Sequence, residues 1–266
     1  MSSRHLVILL CSLLFSSSLC SLPECSIEQQ FAISHCNYIV QNIKGFLFTN
    51  LAHSNSQEFY GTVRGLCNEI KSCLGPYQCK EAQSASAVLR QGCDLHLFMM
   101  QENRDCFRKF LREVYESHAS NTSSCFKEHG FLENTLVTRY KAYSEGEDCF
   151  IKFVGDHCNP ISQDFFEQRF MSIAKSVSTT PTGDNCLDLP HLLEAERCLA
   201  MYEILKEQTN AATTDKLKIF FGVVGLSEEF DICKETQKCM AKNCYFNREP
   251  IKKIVDDVCD RLSQHV

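Results

Sequence analysis

Residues 67–93, CNEIKSCLGPYQCKEAQSASAVLRQGC, contain four cysteines at close and uneven spacings. A similar stretch, CKETQKCMAKNCYFNREPIKKIVDDVC, occupies residues 233–259. Cysteines at such spacings either bind a metal ion or form disulfide bonds. Structural zinc sites favour closely spaced pairs such as C-x-x-C, but the chain has no such motif. After residue 20, its nearest cysteines are Cys239 and Cys244, five residues apart. The pattern therefore predicts disulfides and no metal site.

The first twenty residues are typical of a signal peptide. Residues 6–15 (LVILLCSLLF) form a short apolar core, and small residues follow it up to Cys20. Cleavage after Cys20 would leave Ser21 first in a secreted, extracellular chain. Of the 18 cysteines, only Cys11 and Cys20 would be removed. The remaining 16 are even in number, which favours a disulfide framework in an oxidising compartment. They are Cys25, Cys36, Cys67, Cys73, Cys79, Cys93, Cys106, Cys125, Cys149, Cys158, Cys186, Cys198, Cys233, Cys239, Cys244 and Cys259.

The charge balance excludes one class of partner. The formal net charge is −6, and removal of Arg4 with the signal peptide makes it −7 (26 basic minus 33 acidic side chains). A nucleic-acid partner would require a basic patch, so none is expected. The longest apolar run of the remaining chain is residues 219–226 (IFFGVVGL), too short to span a membrane. We expect this run to pack in a core, and a lipid- or partner-binding face is the alternative.

Helical signals recur along the chain. Ser26 and Gln29 have the spacing of a capping box, and an apolar stripe of helical period follows them. Cys25 and Cys36 are eleven residues apart, or about 16 Å along one helix face. Because that distance is far beyond disulfide reach, each must bond to a different segment. Asn159-Pro160 predicts another helix start.

The two cysteine-rich stretches belong to longer units that resemble each other. The intervals between the six cysteines from Cys25 to Cys93 are 10, 30, 5, 5 and 13 residues, and from Cys186 to Cys259 they are 11, 34, 5, 4 and 14. This agreement predicts an internal repeat in which equivalent cysteines pair alike. Four further cysteines lie between the units, so every block is even and bridges could close within blocks.

These patterns predict an all-α fold of disulfide-stapled helical bundle repeats. Residues 178–185 (STTPTGDN) have no apolar side chain and contain a proline and a glycine, so they are the best domain boundary in the chain. We expect a first cysteine-rich helical domain at 21–177, a linker at 178–185 and a second, shorter repeat at 186–266.

The C-x5-C-x5-C run in CNEIKSCLGPYQC, the Cys93-Asp94 pair and the segment GEDCFIKFVGDHC resemble a secreted cysteine-rich family expanded in nematodes, known as domain-of-unknown-function nineteen. The resemblance covers one full copy, roughly residues 25–175, and a partial second copy at 186–262. It implies a helical, disulfide-stapled extracellular domain with no established enzymatic activity.

No catalytic constellation is recognisable. The chain has no G-x-S-x-G, H-E-x-x-H or glycine-rich phosphate loop, so no catalytic residue and no cofactor is expected. Asp156-His157-Cys158 predicts a helix histidine beside a disulfide. The acids Glu145, Glu147 and Asp148 predict a solvated helix end, because a calcium site needs more oxygen ligands. Asn121, in the sequon Asn-Thr-Ser, is the expected glycosylation site.

Two functions remain open at this point. The first is a secreted, non-enzymatic protein that binds an extracellular protein through its surface. The second is an extracellular carrier of small apolar ligands or lipids, since stapled helices can enclose a cavity and the chain has 19 Phe and no Trp. An extracellular hydrolase is a weaker third alternative.

Overall fold

The computed structural model describes residues 22–49, 56–119, 125–133, 135–181, 186–213, 226–248 and 250–263. Within these ranges the regular elements are helices and no strand occurs, which confirms the predicted all-α class. The helices are α1 (Ile27–Thr49), α2 (Gln57–Leu74), α3 (Lys80–Phe98), α4 (Gln101–Ala119), α5 (Cys125–Glu128), α6 (Leu136–Glu145), α7 (Glu147–His157), α8 (Pro160–Val177), α9 (Leu189–Thr213), α10 (Leu226–Lys242), a 3₁₀ segment (Cys244–Arg248) and α11 (Pro250–Ser263).

The chain divides into two compact units, Met1–Cys93 and Asp94–Val266. The division falls inside α3, whereas the predicted linker at 178–185 lies within the second unit. The predicted domains at 21–177 and 186–266 stay a prediction.

In the first unit, α1 packs against α2. The helix α1 begins with the predicted capping box: the backbone N–H of Ser26 donates to Gln29 Oε1 at 2.8 Å, and the N–H of Gln29 donates to Ser26 Oγ at 3.2 Å. The helix α2 ends at Leu74, just before the Gly75-Pro76 break. As expected, Cys25 and Cys36 bond to different partners. The three bridges of this unit are Cys25–Cys79, Cys36–Cys73 and Cys67–Cys93.

Phenylalanine rings fill the centre of the second unit. Phe110 on α4 is fully buried, and its ring centroid lies 4.6 Å from Phe150, 5.0 Å from Phe131 and 5.6 Å from Phe153. These edge-to-face contacts join α4 to α7 and to the turn after α5. Two bridges clamp the same region, Cys106–Cys158 and Cys125–Cys149.

Capping residues mark the first turns of the helices around this core. Asn159 caps α8, where its side chain accepts a hydrogen bond from Ser162 N at 2.9 Å and Pro160 occupies the first turn. Asp188 Oδ1 accepts from His191 N at 2.9 Å at the start of α9. Thr135 caps α6 in the same way, accepting from Thr138 N at 3.3 Å. This cap was not predicted from the sequence.

The second six-cysteine set surrounds a core of its own, to which α9, α10, the 3₁₀ segment and α11 contribute. Its bridges are Cys186–Cys244, Cys198–Cys239 and Cys233–Cys259. In both sets the first cysteine bonds to the fifth, the second to the fourth and the third to the sixth. The prediction that equivalent cysteines pair alike is therefore confirmed, and all bridges close within their blocks.

Candidate functional site

The 16 cysteines predicted to form disulfides are all bridged, so none offers a free thiol. Other predicted features lie outside the described residues: the signal peptide at 1–20, the glycosylation site Asn121, and the apolar run 219–226 except for its last residue.

Among the described residues, one group has the proximity that a metal site requires, namely Cys25, Cys79 and Glu81. Its two sulfur atoms are bonded to each other and are not thiolates. The Glu81 carboxylate accepts a hydrogen bond from the backbone N–H of Cys25 at 2.9 Å. That bond, together with the N–H of Glu81 itself, lowers the pKa of the Glu81 carboxyl. The group is thus a tether between the start of α1 and the start of α3.

The predicted Asp156-His157-Cys158 segment ends α7, and Cys158 bonds to Cys106, as the sequence analysis expected. The His157 ring packs against Phe153 in a tilted arrangement, with centroids 4.6 Å apart. Both rings border a shallow groove of about 340 Å³. Its other lining residues come from α4 and carry charges of both signs: Lys109, Arg112, Glu113 and Glu116. Four of the six lining side chains carry a formal charge, so the groove does not resemble an apolar ligand site.

The predicted acidic cluster lies at a helix junction. Glu147 and Asp148 are in the first turn of α7, where the positive end of the helix dipole favours acids. Glu145, at the end of α6, is exposed and lies 3.8 Å from Lys141 Nζ. These positions agree with a solvated helix end.

Within the part of the chain that the structure describes, a charged seam lies between α4 and α9, formed by Arg104, Arg108 and Arg112 of α4 and by Glu196, Glu203 and Glu207 of α9. Both oxygens of the buried Glu196 carboxylate are engaged, by Arg104 Nε at 2.5 Å and by Arg108 Nε at 2.7 Å. Arg108 also binds Glu203 at 3.0 Å. Further along, Arg112 binds Glu207 at 2.8 Å. Burial by itself would lower the pKa values of Arg104 and Arg108. The charge and hydrogen bonds of Glu196, together with Tyr245 at Arg104 and Glu203 at Arg108, more than offset burial and raise both pKa values.

This seam was not predicted from the sequence, although the sequence contains a signal for it. The arginines recur every fourth residue of α4, and Glu196, Glu203 and Glu207 recur at helical spacing on α9. Each pattern by itself also describes an ordinary solvated face. Only the structure shows that the two faces meet, and that the seam serves helix packing.

The sequence matches the family described as domain of unknown function (DUF19) over residues 25–187 of 266. The chain belongs to this family. The match includes the first six-cysteine set, the four central cysteines and Cys186. No curated protein and no solved structure matches the chain.

A second charged cluster of this DUF19 chain binds helix ends together. Arg139 on α6 donates to the Val177 carbonyl at the end of α8 at 3.1 Å, and lies 3.4 Å from Glu194 on α9. Glu194 also lies 3.4 Å from Arg197. Beside them Tyr143 is fully buried, and burial raises its pKa. Its phenol is therefore kept neutral, which suits a packing role.

Within the described part of this DUF19 chain, no helix is both long and apolar enough to cross a membrane.

Proposed function

We propose that the protein is a secreted, non-enzymatic, disulfide-rich helical protein that acts through extracellular interaction with another protein. The proposal rests on one observation: the cysteines and the buried acid, which are chemically reactive groups, are bonded to other parts of the fold. The 16 cysteines are bridged, and the buried acid Glu196 is held between two arginines. These groups hold helices together, so recognition is left to the surface.

The disulfide framework supports secretion. Eight bridges need an oxidising compartment to form and persist, in agreement with the predicted signal peptide at residues 1–20 and the sequon at Asn121. The common pairing order of the two six-cysteine sets further supports the proposal that the second set is a partial second copy of the first.

Ring packing in the second unit weighs against the carrier alternative. A ligand held between helices would occupy the centre of the bundle. There the Phe107 and Phe166 ring centroids are 6.3 Å apart, and those of Phe150 and Phe166 are 5.0 Å apart. Side chains already fill this space, which favours the interaction protein.

Capture from extracellular fluid of the source organism tests the proposal, with the secreted, oxidised protein as bait. Reduced and alkylated protein is the matched control, because it keeps the sequence and loses the fold. The expected result is a protein that binds the oxidised bait only, and that binds it saturably when both components are purified. Native mass spectrometry of the secreted protein can contradict the proposal. A lipid bound in stoichiometric amount would show that the protein is a carrier of apolar ligands.

A further inference from the structure

One side of α1 exposes apolar side chains to solvent. Ile27 is 73% exposed, Phe31 75% and Tyr38 67%. They recur at i, i+4 and i+11, so they share one face of the helix, with the exposed Ser34 between them. We call this surface the exposed α1 face: Ile27, Phe31, Ser34 and Tyr38.

The corresponding face of the second six-cysteine set is buried. When α1 and α9 are aligned on the equivalent cysteines Cys36 and Cys198, the exposed α1 face corresponds to a face of α9. The residues of that α9 face are at most 2% exposed. That face packs against a helix: α9 contacts α4 and α8, and Glu196 binds the arginines of α4. The α9 residues are Leu189, Leu193, Glu196 and Ala200.

The charge pattern identifies which kind of helix could cover α1. On α9 the buried face carries Glu196, and Glu203 follows it; both match arginines of α4. At the corresponding positions α1 has Ser34 and Gln41, which are uncharged. An arginine-rich helix like α4 would bury unpaired charges there. A helix that covers α1 must therefore present an apolar and neutral face.

A second copy of α1 meets this requirement. Among its 23 residues only Glu28 and Lys44 are formally charged, and neither is part of the exposed α1 face. If two copies cross antiparallel near Ser34, Phe31 of each lies opposite Tyr38 of the other, and the small serine permits close approach. Opposite α1's exposed face, the bridge Cys36–Cys73 fixes the helix to α2, so the face needs little rearrangement to bind.

We propose that the exposed α1 face binds the same face of a second copy of this chain, in a two-fold antiparallel pair of helices. The protein is then a homodimer, whatever other partner its remaining surface recognises.

Sedimentation equilibrium of the full secreted chain tests this proposal with three variants. Phe31→Glu and Tyr38→Lys each place a charge in the contact, and each should raise the dimer dissociation constant about tenfold or more. Val88→Glu is the matched control, because Val88 is a 67% exposed apolar residue on α3 and lies outside the face. It should leave the dimer unchanged. All four proteins should melt alike, since the substituted side chains are exposed.

Mixing the Phe31→Glu and Tyr38→Lys proteins tests the antiparallel arrangement. In the mixed dimer, the new glutamate at position 31 of one copy lies opposite the new lysine at position 38 of the other, and the second contact keeps its native Phe31 and Tyr38. The mixture should therefore dimerise more tightly than either variant alone. A mixture that shows no gain contradicts this arrangement. A monomeric wild-type chain overturns the dimer. The same holds if the monomer binds neutral phosphatidylcholine vesicles, because the face would then contact a lipid surface and not a second copy. A dimer that both variants leave intact overturns the assignment to α1.

Discussion

At the scale of single residues, the key observation is that a buried charge is paired where two helices meet. Glu196 has no exposed side-chain surface, and its arginine partners are 16% and 19% exposed. Removing one partner of a buried ion pair leaves the other charge uncompensated in a poorly solvated site, which is strongly destabilising.

Glu196→Gln should therefore lower the free energy of unfolding by about 3 kcal/mol, measured by urea denaturation with the disulfides intact. Glu207→Gln is the matched control from the same seam. The Glu207 side chain is 62% exposed, and loss of a surface pair costs about 0.5 kcal/mol. Equal effects of the two substitutions would contradict a structural role for the buried end of the seam.

A second prediction at this scale concerns pH. The hydrogen bond from Cys25 N–H lowers the folded-state pKa of Glu81 below its ordinary value of 4.5. The carboxylate therefore contributes stability above about pH 4.5 and loses that contribution as the pH falls through its folded-state pKa. Melting temperatures of wild type and Glu81→Gln should differ at pH 7 and converge at strongly acidic pH. A difference that is constant with pH would contradict the tether.

At the scale of elements, the junction between α6 and α7 depends on a glycine. A Cβ atom on Gly146 would lie 2.8 Å from the carbonyl oxygen of Ala142 and 2.9 Å from Cε1 of Phe131. Both are too close for ordinary contact, and Phe131 is buried. The direct turn from one helix into the next thus requires a residue without a side chain.

Gly146→Ala should destabilise the protein by about 2 kcal/mol, as overpacking does. Gly155→Ala is the matched control within α7. There a Cβ would meet only Gln163 Nε2 at 3.9 Å, so the better helix propensity of alanine should stabilise by about 0.5 kcal/mol. Thermal or urea unfolding measures both effects. A Gly146→Ala protein as stable as wild type would show that Phe131 can move aside.

The elements also show how far the sequence could predict the fold. Capping residues act on backbone groups only a few residues away, so Ser26 with Gln29 and Asn159-Pro160 were sufficient to place helix starts. The seam joins Arg104 to Glu196, which are 92 residues apart. Nothing local connects such residues, because their contact depends on how whole helices pack.

At the scale of the whole molecule, the disulfides relate the two six-cysteine sets. The spacing of the cysteines predicted that equivalent ones pair alike, but not which pairs form, because pairing depends on proximity in space. The structure supplies that order, first to fifth, second to fourth and third to sixth, in both sets. Their surroundings differ: α9 is covered by α4 and α8, whereas the corresponding face of α1 is exposed.

One disulfide pairing order occurs twice in this chain. Mass spectrometric mapping of peptides from the secreted protein, digested without reduction, measures that order in solution. We expect Cys25–Cys79, Cys36–Cys73 and Cys67–Cys93 in the first set, and Cys186–Cys244, Cys198–Cys239 and Cys233–Cys259 in the second. Different pairing orders in the two sets, or bridges between them, would contradict it.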